Sequence, residues 1–204
     1  ICNPNNPTGL MVPGEQIRHW LAAIPARTIV VLDEAYAEYV ERQDYISGIS
    51  LMADFPNVVT LRTFSKIYGL AGLRLGYGIA HQSVIDAIQR VRSPFNINAV
   101  AHAAGLAALN DDEFSAYVAE QNAKERQLLA GALTEFGFRV YRSETNFLFA
   151  DTGRDSRQFC LLLANRGIII RPGTAWDLPD HVRITVGISQ QNERLINAIS
   201  EVVK

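Results

Sequence analysis

The sequence predicts an α/β fold: a mostly parallel sheet with helices on both faces, followed by a smaller C-terminal α+β domain. Three observations predict it. Apolar, β-branched runs alternate with amphipathic helical stretches through the first part of the chain. Polar residues able to do chemistry fall at the ends of those runs, where ligands gather in open α/β sheets. After Ser93-Pro94 the pattern changes to long helices and then short strands. Read this way, the boundaries are 1–93 for the first domain, 94–136 for connecting helices and 137–204 for the small domain.

The elements follow in order. Pro13-Gly14-Glu15 opens a helix to about Ile24, with Ile17, Trp20, Leu21 and Ile24 on one face. Thr28-Ile29-Val30-Val31 reads as a buried strand that delivers Asp33 at its carboxyl end. Val58 to Arg62 is a second strand, delivering Thr63 to Lys66, and Leu75 to Ile79 a third. Val84, Ile85, Ile88 and Val91 then mark a helix. Asn98 to Leu109 is Ala-rich and helical, and a long polar helix runs from about Asp111 to Phe136, before Gly137. Strands at Arg139–Tyr141 and Phe147–Ala150, a helix from about Ser156 to Asn165, strands at Ile168–Arg171 and Val182–Val186, and a helix to Val203 complete the chain. A groove between the two domains is the expected site.

Composition narrows the function classes. The 204 residues are 48% hydrophobic and 20% charged, ordinary for a globular chain, and the net charge of −2 offers no footprint for nucleic acid or an anionic membrane. No apolar run approaches the roughly 20 residues that span a bilayer. Cys2 and Cys160 are too few and too scattered for a disulfide framework or a metal site, and read as reduced, buried thiols. His19, His81, His102 and His181 occur singly, so no metal is expected.

The most informative stretch is Thr63-Phe64-Ser65-Lys66, with Arg74 eight residues after the lysine. A desolvated lysine amine loses its proton easily and can form a Schiff base with an aldehyde. Hydroxyls and a guanidinium are what a phosphate monoester wants from its pocket. Together they describe a seat for pyridoxal 5'-phosphate: the aldehyde on Lys66, the phosphate on Thr63, Ser65 and Arg74. Asp33, at a strand end, can pair with the pyridine nitrogen and keep it protonated, which makes the ring an electron sink; capping a following helix is its plainer alternative. Tyr36 can bond the phenolic oxygen of the ring, and the small Ala35 lets the ring lie close to the backbone. In Asn3-Pro4-Asn5-Asn6-Pro7-Thr8-Gly9, Asn6 can donate its amide to the same oxygen; otherwise the segment is a tight loop after a strand. Thr63-x-x-Lys66 lacks the leading serine of the acyl-transferase motif, and no P-loop is present.

Asn6-Pro7-Thr8-Gly9, Asp33-x-x-Tyr36 and Ser65-Lys66 with Arg74 resemble the fold-type I pyridoxal-phosphate aminotransferases. Arg62 to Lys66, Gly69 to Tyr77 and Val182 to Gly187 resemble, within them, the histidinol-phosphate aminotransferase family, in register over essentially the whole chain. The resemblance implies ping-pong amino transfer in histidine biosynthesis, between histidinol phosphate and 2-oxoglutarate, giving imidazole-acetol phosphate and glutamate. It implies a cytoplasmic homodimer, with no nucleic acid and no membrane as partners. Lys66 is then the catalytic residue. Arg183, in a β-rich run where burial of its charge is costly, becomes the bidentate partner of an acidic substrate group. Arg171 supplies a second fork or is a surface strand-end arginine, and Asn6 also lies beside substrate. Trp176 and Tyr68 read as packing residues, and Glu34 as solvated or ion-paired. Such enzymes are longer than this chain, and Ile1-Cys2 reads as the tail of a strand already under way. The chain is therefore expected to be a C-terminal portion, holding cofactor weakly by itself. Alternatives are an aromatic amino-acid aminotransferase, a phospho-amino-acid decarboxylase, and a non-catalytic aminotransferase-like module.

Overall fold

The computed structural model describes residues 1–203, in two compact units. The first comprises Ile1–Asn5 and Met11–Tyr117, and the second Asn6–Leu10 with the chain from Val118 onward. No helix among the described residues is long and apolar enough to cross a membrane.

The first unit is built on β1 (Val30–Asp33), β2 (Val58–Thr63) and β3 (Gly76–Ala80), in that order across the sheet. β1 and β2 are parallel, with Asp33 opposite Leu61, and β3 returns antiparallel, with Thr63 opposite Gly76. The chain start adds to the parallel edge. Cys2 bridges Asp33, and Asn3 N–H donates to the Asp33 carbonyl at 2.9 Å. Helix α1 (Gly14–Ala23) lays Ile17 and Leu21 on Val30, Leu32 and Val58, together with Leu51 of the short α2 (Gly48–Leu51). Only glycine fits at 14, because a Cβ there would stand 2.2 Å from the Ile46 side chain. Trp20, expected on the buried face, lies at its edge and is exposed. The run over 28–31 is also less buried than expected. Strand side chains alternate, so Val30 and Leu32 enter the core while Val31 stays 40% exposed.

Beyond β3, α3 (Gln82–Gln89) and α4 (Ala99–Leu109) follow. Asn98 caps α4 by accepting the Ala101 N–H at 2.8 Å. Gly105 brings α4 close to Leu75, beside Phe64.

In the second unit the long helix α5 (Asp112–Glu135), in which the division falls, packs Leu129 and Leu133 on a four-stranded antiparallel sheet. Its strands are β4 (Arg139–Val140), β5 (Phe147–Asp151), β6 (Arg171–Pro172) and β7 (His181–Thr185), ordered β4-β5-β7-β6. Helices α6 (Ser156–Ala164) and α7 (Ser189–Val203) close the same core. The strand expected at Ile168–Arg171 shrinks to β6, and Ile169 is 91% exposed. The cause lies in how α6 ends. Gly167 is left-handed at φ 74°, and Ile168 N–H donates back to Leu163 O at 3.1 Å, so the Ile168 amide caps a helix instead of joining a ladder.

Candidate active site

The parallel register brings the carboxyl ends of β1 and β2 to one edge of the first unit's sheet, where Asp33 and Thr63 end their strands and Ala35, Tyr36, Ser65 and Lys66 follow. Asp33 is exposed at the end of β1, and its Oδ1 accepts the Ala35 N–H at 3.1 Å. That bond turns the chain so that Tyr36, 4% exposed, points inward. At the end of β2 the Thr63 hydroxyl accepts the Ser65 N–H at 3.1 Å, a local turn that redirects the chain toward Lys66. Buried Phe64 and Ile67 flank the Ser65-Lys66 pair, and Leu70 N–H returns to Phe64 O at 2.9 Å. Lys66 is thereby fixed with Nζ 5.2 Å from the centre of the Tyr36 ring. It is half-buried, where the sequence reading wanted a desolvated amine.

Arg74 follows a 3₁₀ turn, Ala71–Leu73. It is exposed, takes a left-handed conformation at φ 53° and donates from its guanidinium to Ala71 O at 2.9 Å. Of the three expected phosphate ligands, Thr63 and Arg74 make these local bonds, and Ser65 is half-buried between them in sequence.

Beneath this edge lies a charge network that sequence reasoning missed. Glu34, next to Asp33, is 2% exposed. It is ion-paired with Arg62 at 2.7 Å and accepts from Ser47 Oγ at 2.8 Å and Gly48 N–H at 2.5 Å. Of the two readings given for Glu34, the solvated one is thus corrected: the carboxylate is buried and paired. Arg62 also meets Glu38 at 2.8 Å. Burial works against the Arg62 charge, but Glu34 and then Glu38 outweigh it and hold the guanidinium above its ordinary pKa. Burial, reinforced by Glu38, pushes the neighbouring Tyr39 phenol up to about 12. A signal was present: strand alternation gives Arg62 the same face as Thr60, which is fully buried.

The second unit brings together the other candidates. The loop Asn6-Pro7-Thr8-Gly9 docks on the β4–β5 connection, with Glu144 N–H donating to Gly9 O at 2.9 Å. Gly9 is left-handed at φ 75°, and a Cβ there would sit 2.5 Å from Ser143 Oγ. Asn6 is exposed at the tip, and its Oδ1 accepts from the Arg183 guanidinium at 2.6 Å. This bond orients the amide so that its NH2 end faces away from Arg183. Arg183 does not point into the core, where its charge would be costly to bury. In β7 the period of two sends Val182 and Ile184 to the core and Arg183 to the opposite face. There its guanidinium lies 5.1 Å from the Phe147 ring and 5.6 Å from Trp176. Arg171 stands directly opposite Arg183 in the β6–β7 register and lies 5.2 Å from the same indole. Both arginines line a hollow of about 290 Å³, with Ile169, Ile170, Pro172 and Thr185. Trp176, read from the sequence as packing, therefore touches both candidate substrate residues.

The chain belongs to the aminotransferase class I and II family, whose model matches residues 1–199. It is 46% identical, over 204 residues, to the histidinol-phosphate aminotransferase of Geobacillus thermodenitrificans, and 45% identical to that of Anoxybacillus flavithermus. All of this chain is covered in both cases, against 56% and 55% of the relatives, so the chain spans about half the length of the curated relatives it matches. The solved structure of histidinol-phosphate aminotransferase from Sinorhizobium meliloti, in complex with pyridoxal-5'-phosphate, superposes with a TM-score of 0.90 at 34% identity, covering 100% of this chain and 56% of that one. The α/β class expected from the sequence is the fold of this family.

Proposed function

We infer that the whole protein is a pyridoxal-phosphate-dependent aminotransferase acting between histidinol phosphate and 2-oxoglutarate, in histidine biosynthesis. The observation that carries the substrate class is the Arg171–Arg183 pair, two guanidinium groups facing each other beside one hollow, a donor array matched to a phosphate ester.

The cofactor suits the residues present. A half-buried amine lies 5.2 Å from a phenol ring, at the sheet edge that also carries a carboxylate. Two hydroxyls, of Thr63 and Ser65, precede the amine at the end of β2, and Arg74 follows it in the next loop. Bound there, the cofactor would supply an aldehyde that condenses with amines and a ring that withdraws electrons from the substrate's amine-bearing carbon. Lys66 is the base that removes the proton from that carbon and the acid that returns one. Asp33 keeps the pyridine nitrogen protonated, Tyr36 donates to the phenolic oxygen, and Ala35 admits the ring to the backbone. Asn6 is taken to donate its amide to the same oxygen. Thr63, Ser65 and Arg74 bind the phosphate, which requires Arg74 to exchange its bond to Ala71 O for the anion. Arg183 takes the phosphate of one substrate and the carboxylate of glutamate in turn, and Arg171 supplies a second fork.

We further take the large cofactor-binding domain to include residues 1–93, followed by connecting helices over 94–136 and a small domain over 137–204. The enzyme is read as a cytoplasmic homodimer. Exposed apolar side chains on the first unit support the dimer: Phe95 is 97% exposed, and Val91 and Val100 are exposed beside it in sequence.

The test uses the full-length enzyme. Borohydride reduction with peptide mapping is expected to mark Lys66, and the rate on histidinol phosphate to exceed that on phenylalanine. A label elsewhere removes the assignment of Lys66, and equal rates remove the substrate.

A further inference from the structure

We propose that Trp176 is a positioning residue that sets the preference of the arginine pair for a doubly charged phosphate ester over a carboxylate, an inference that rests on the substrate reading above. Cross-strand partners share one face of a sheet, so Arg171 and Arg183 project to the same side. Like charges so placed repel, and two long, flexible side chains relieve that repulsion by diverging into water. Here both instead lie on one indole, at 5.2 and 5.6 Å from its centre. The negative face of an aromatic ring attracts a guanidinium, so the shared ring offsets part of the repulsion and holds the two forks together.

The indole is itself braced. It ends a 3₁₀ turn, Gly173–Trp176, whose first residue is packed so closely that a Cβ would stand 2.3 Å from Leu178 O and 2.7 Å from His181 O. Its edge meets the Phe149 ring at 6.0 Å and 82°. Phe149 is stacked on His181 at 5.1 Å, and His181 Nε2 is hydrogen-bonded to Tyr141 Oη at 3.1 Å. Three rings thus stand behind the one that carries the arginines.

Selectivity follows from counting acceptors. A carboxylate presents two oxygens in one plane and one charge, matched to one guanidinium fork, whereas a terminal phosphate presents three oxygens around a tetrahedral centre and up to two charges, so two forks approach it from different sides and share it. Arg183 alone therefore suffices for a carboxylate substrate, and the second fork adds binding only for the phosphate ester. Loss of the indole frees Arg171 to swing away and so weakens the phosphate ester more.

The test compares full-length wild-type, Trp176→Leu and Trp176→Phe enzymes in separate half-reactions with the phosphorylated amine, its dephosphorylated analogue and glutamate. In Trp176→Leu the ratio of kcat/KM for the phosphorylated amine to that for glutamate is expected to fall about tenfold, the size of two lost cation–π contacts. The change resides in KM, and Trp176→Phe, which keeps a ring, recovers most of it. Inorganic phosphate, as a competitor of glutamate, is expected to bind about tenfold more weakly to Trp176→Leu. An unchanged ratio with unchanged phosphate inhibition overturns the role given to Trp176, as does an equal loss on both substrates. A wild-type enzyme that does not distinguish the phosphorylated amine from its dephosphorylated analogue overturns the substrate reading itself, and the two failures are separable.

Discussion

Arg62→Met tests whether the buried charge network holds the edge that carries Asp33 and Lys66. The substitution keeps an unbranched apolar stem and removes the guanidinium, leaving Glu34, 2% exposed, and Glu38 without their shared cation. Removing one partner of a buried ion pair typically costs about 3–5 kcal/mol, because the remaining charge is stranded in low dielectric. Glu34 keeps two donors, Ser47 Oγ and the Gly48 amide, which places the expected loss near the lower end, about 3 kcal/mol. Combining Arg62→Met with Glu34→Gln removes the stranded charge and is expected to recover roughly half of that loss. Hydrogen exchange of the β1–β2 ladder amides in the full-length enzyme reads the effect where it arises. A loss of about 3 kcal/mol speeds their exchange by roughly a hundredfold, while the amides of α6 and α7 are unaffected. Arg62 directly precedes Thr63 and Glu34 directly follows Asp33, so cofactor affinity is expected to fall in parallel. Exchange slowed or changed by less than about threefold, with no coupling between the two substitutions, refutes the reasoning; the network would then behave like an exposed ion pair worth under about 1 kcal/mol.

Other expectations follow from single contacts. Gly173→Ala forces a methyl into backbone 2.3 Å away, so the second unit is expected to lose at least about 2 kcal/mol in denaturant melts, against a gain of up to about 1 kcal/mol for Gly131→Ala, exposed inside α5 with nothing within 4 Å. Burial pushes the Cys160 thiol up to about 11, so in a Cys2→Ser background its alkylation at pH 8 is expected to run roughly a hundredfold slower than that of a free thiol. Glu125 accepts from Ser189 and Asn192, and these bonds hold its carboxyl below the usual value. A depressed folded-state pKa gives stability that is complete above the unfolded value, near 4.3, and lost as pH falls through the folded one. Glu125→Gln is therefore expected to destabilise at pH 7 and to lose that deficit toward pH 3, which melting curves across pH will reveal.

Much of this was legible in the sequence, and what was not has definite causes. Glycines and caps announced helix ends, as at Asn98 and Gly137, because those residues answer to local backbone geometry. Strand ends carrying Asp33 and Thr63 were readable for the same reason: an apolar run stops where a polar residue begins. Ile168–Ile170 misled, since three β-branched residues look like a strand whether or not their amides are already engaged in closing a helix. The Arg62–Glu34–Glu38 network was only half legible: alternation along β2 pointed to the Arg62 face, but its partners lie 28 and 24 residues earlier and reach it through the fold. Trp176 was hidden, its meaning depending on Arg171 and Arg183 being cross-strand partners.

The same alternation explains how one short strand serves stability and binding without conflict. Val182 and Ile184 are fully or almost fully buried among Leu129, Leu148, Leu163 and Leu195, while His181, Arg183 and Thr185 occupy the opposite face. A substitution at Val182 removes packed core volume, and Val182→Ala is expected to cost about 2 kcal/mol. At Arg183 the core is untouched, so Arg183→Leu is expected to shift the melting midpoint little while abolishing the bond to Asn6 and the contacts to Phe147 and Trp176. Adjacent residues then separate the two properties cleanly. A large loss of stability in Arg183→Leu would mean that the charged face carries the fold as well, and the division of labour drawn from the pleat would have to be given up.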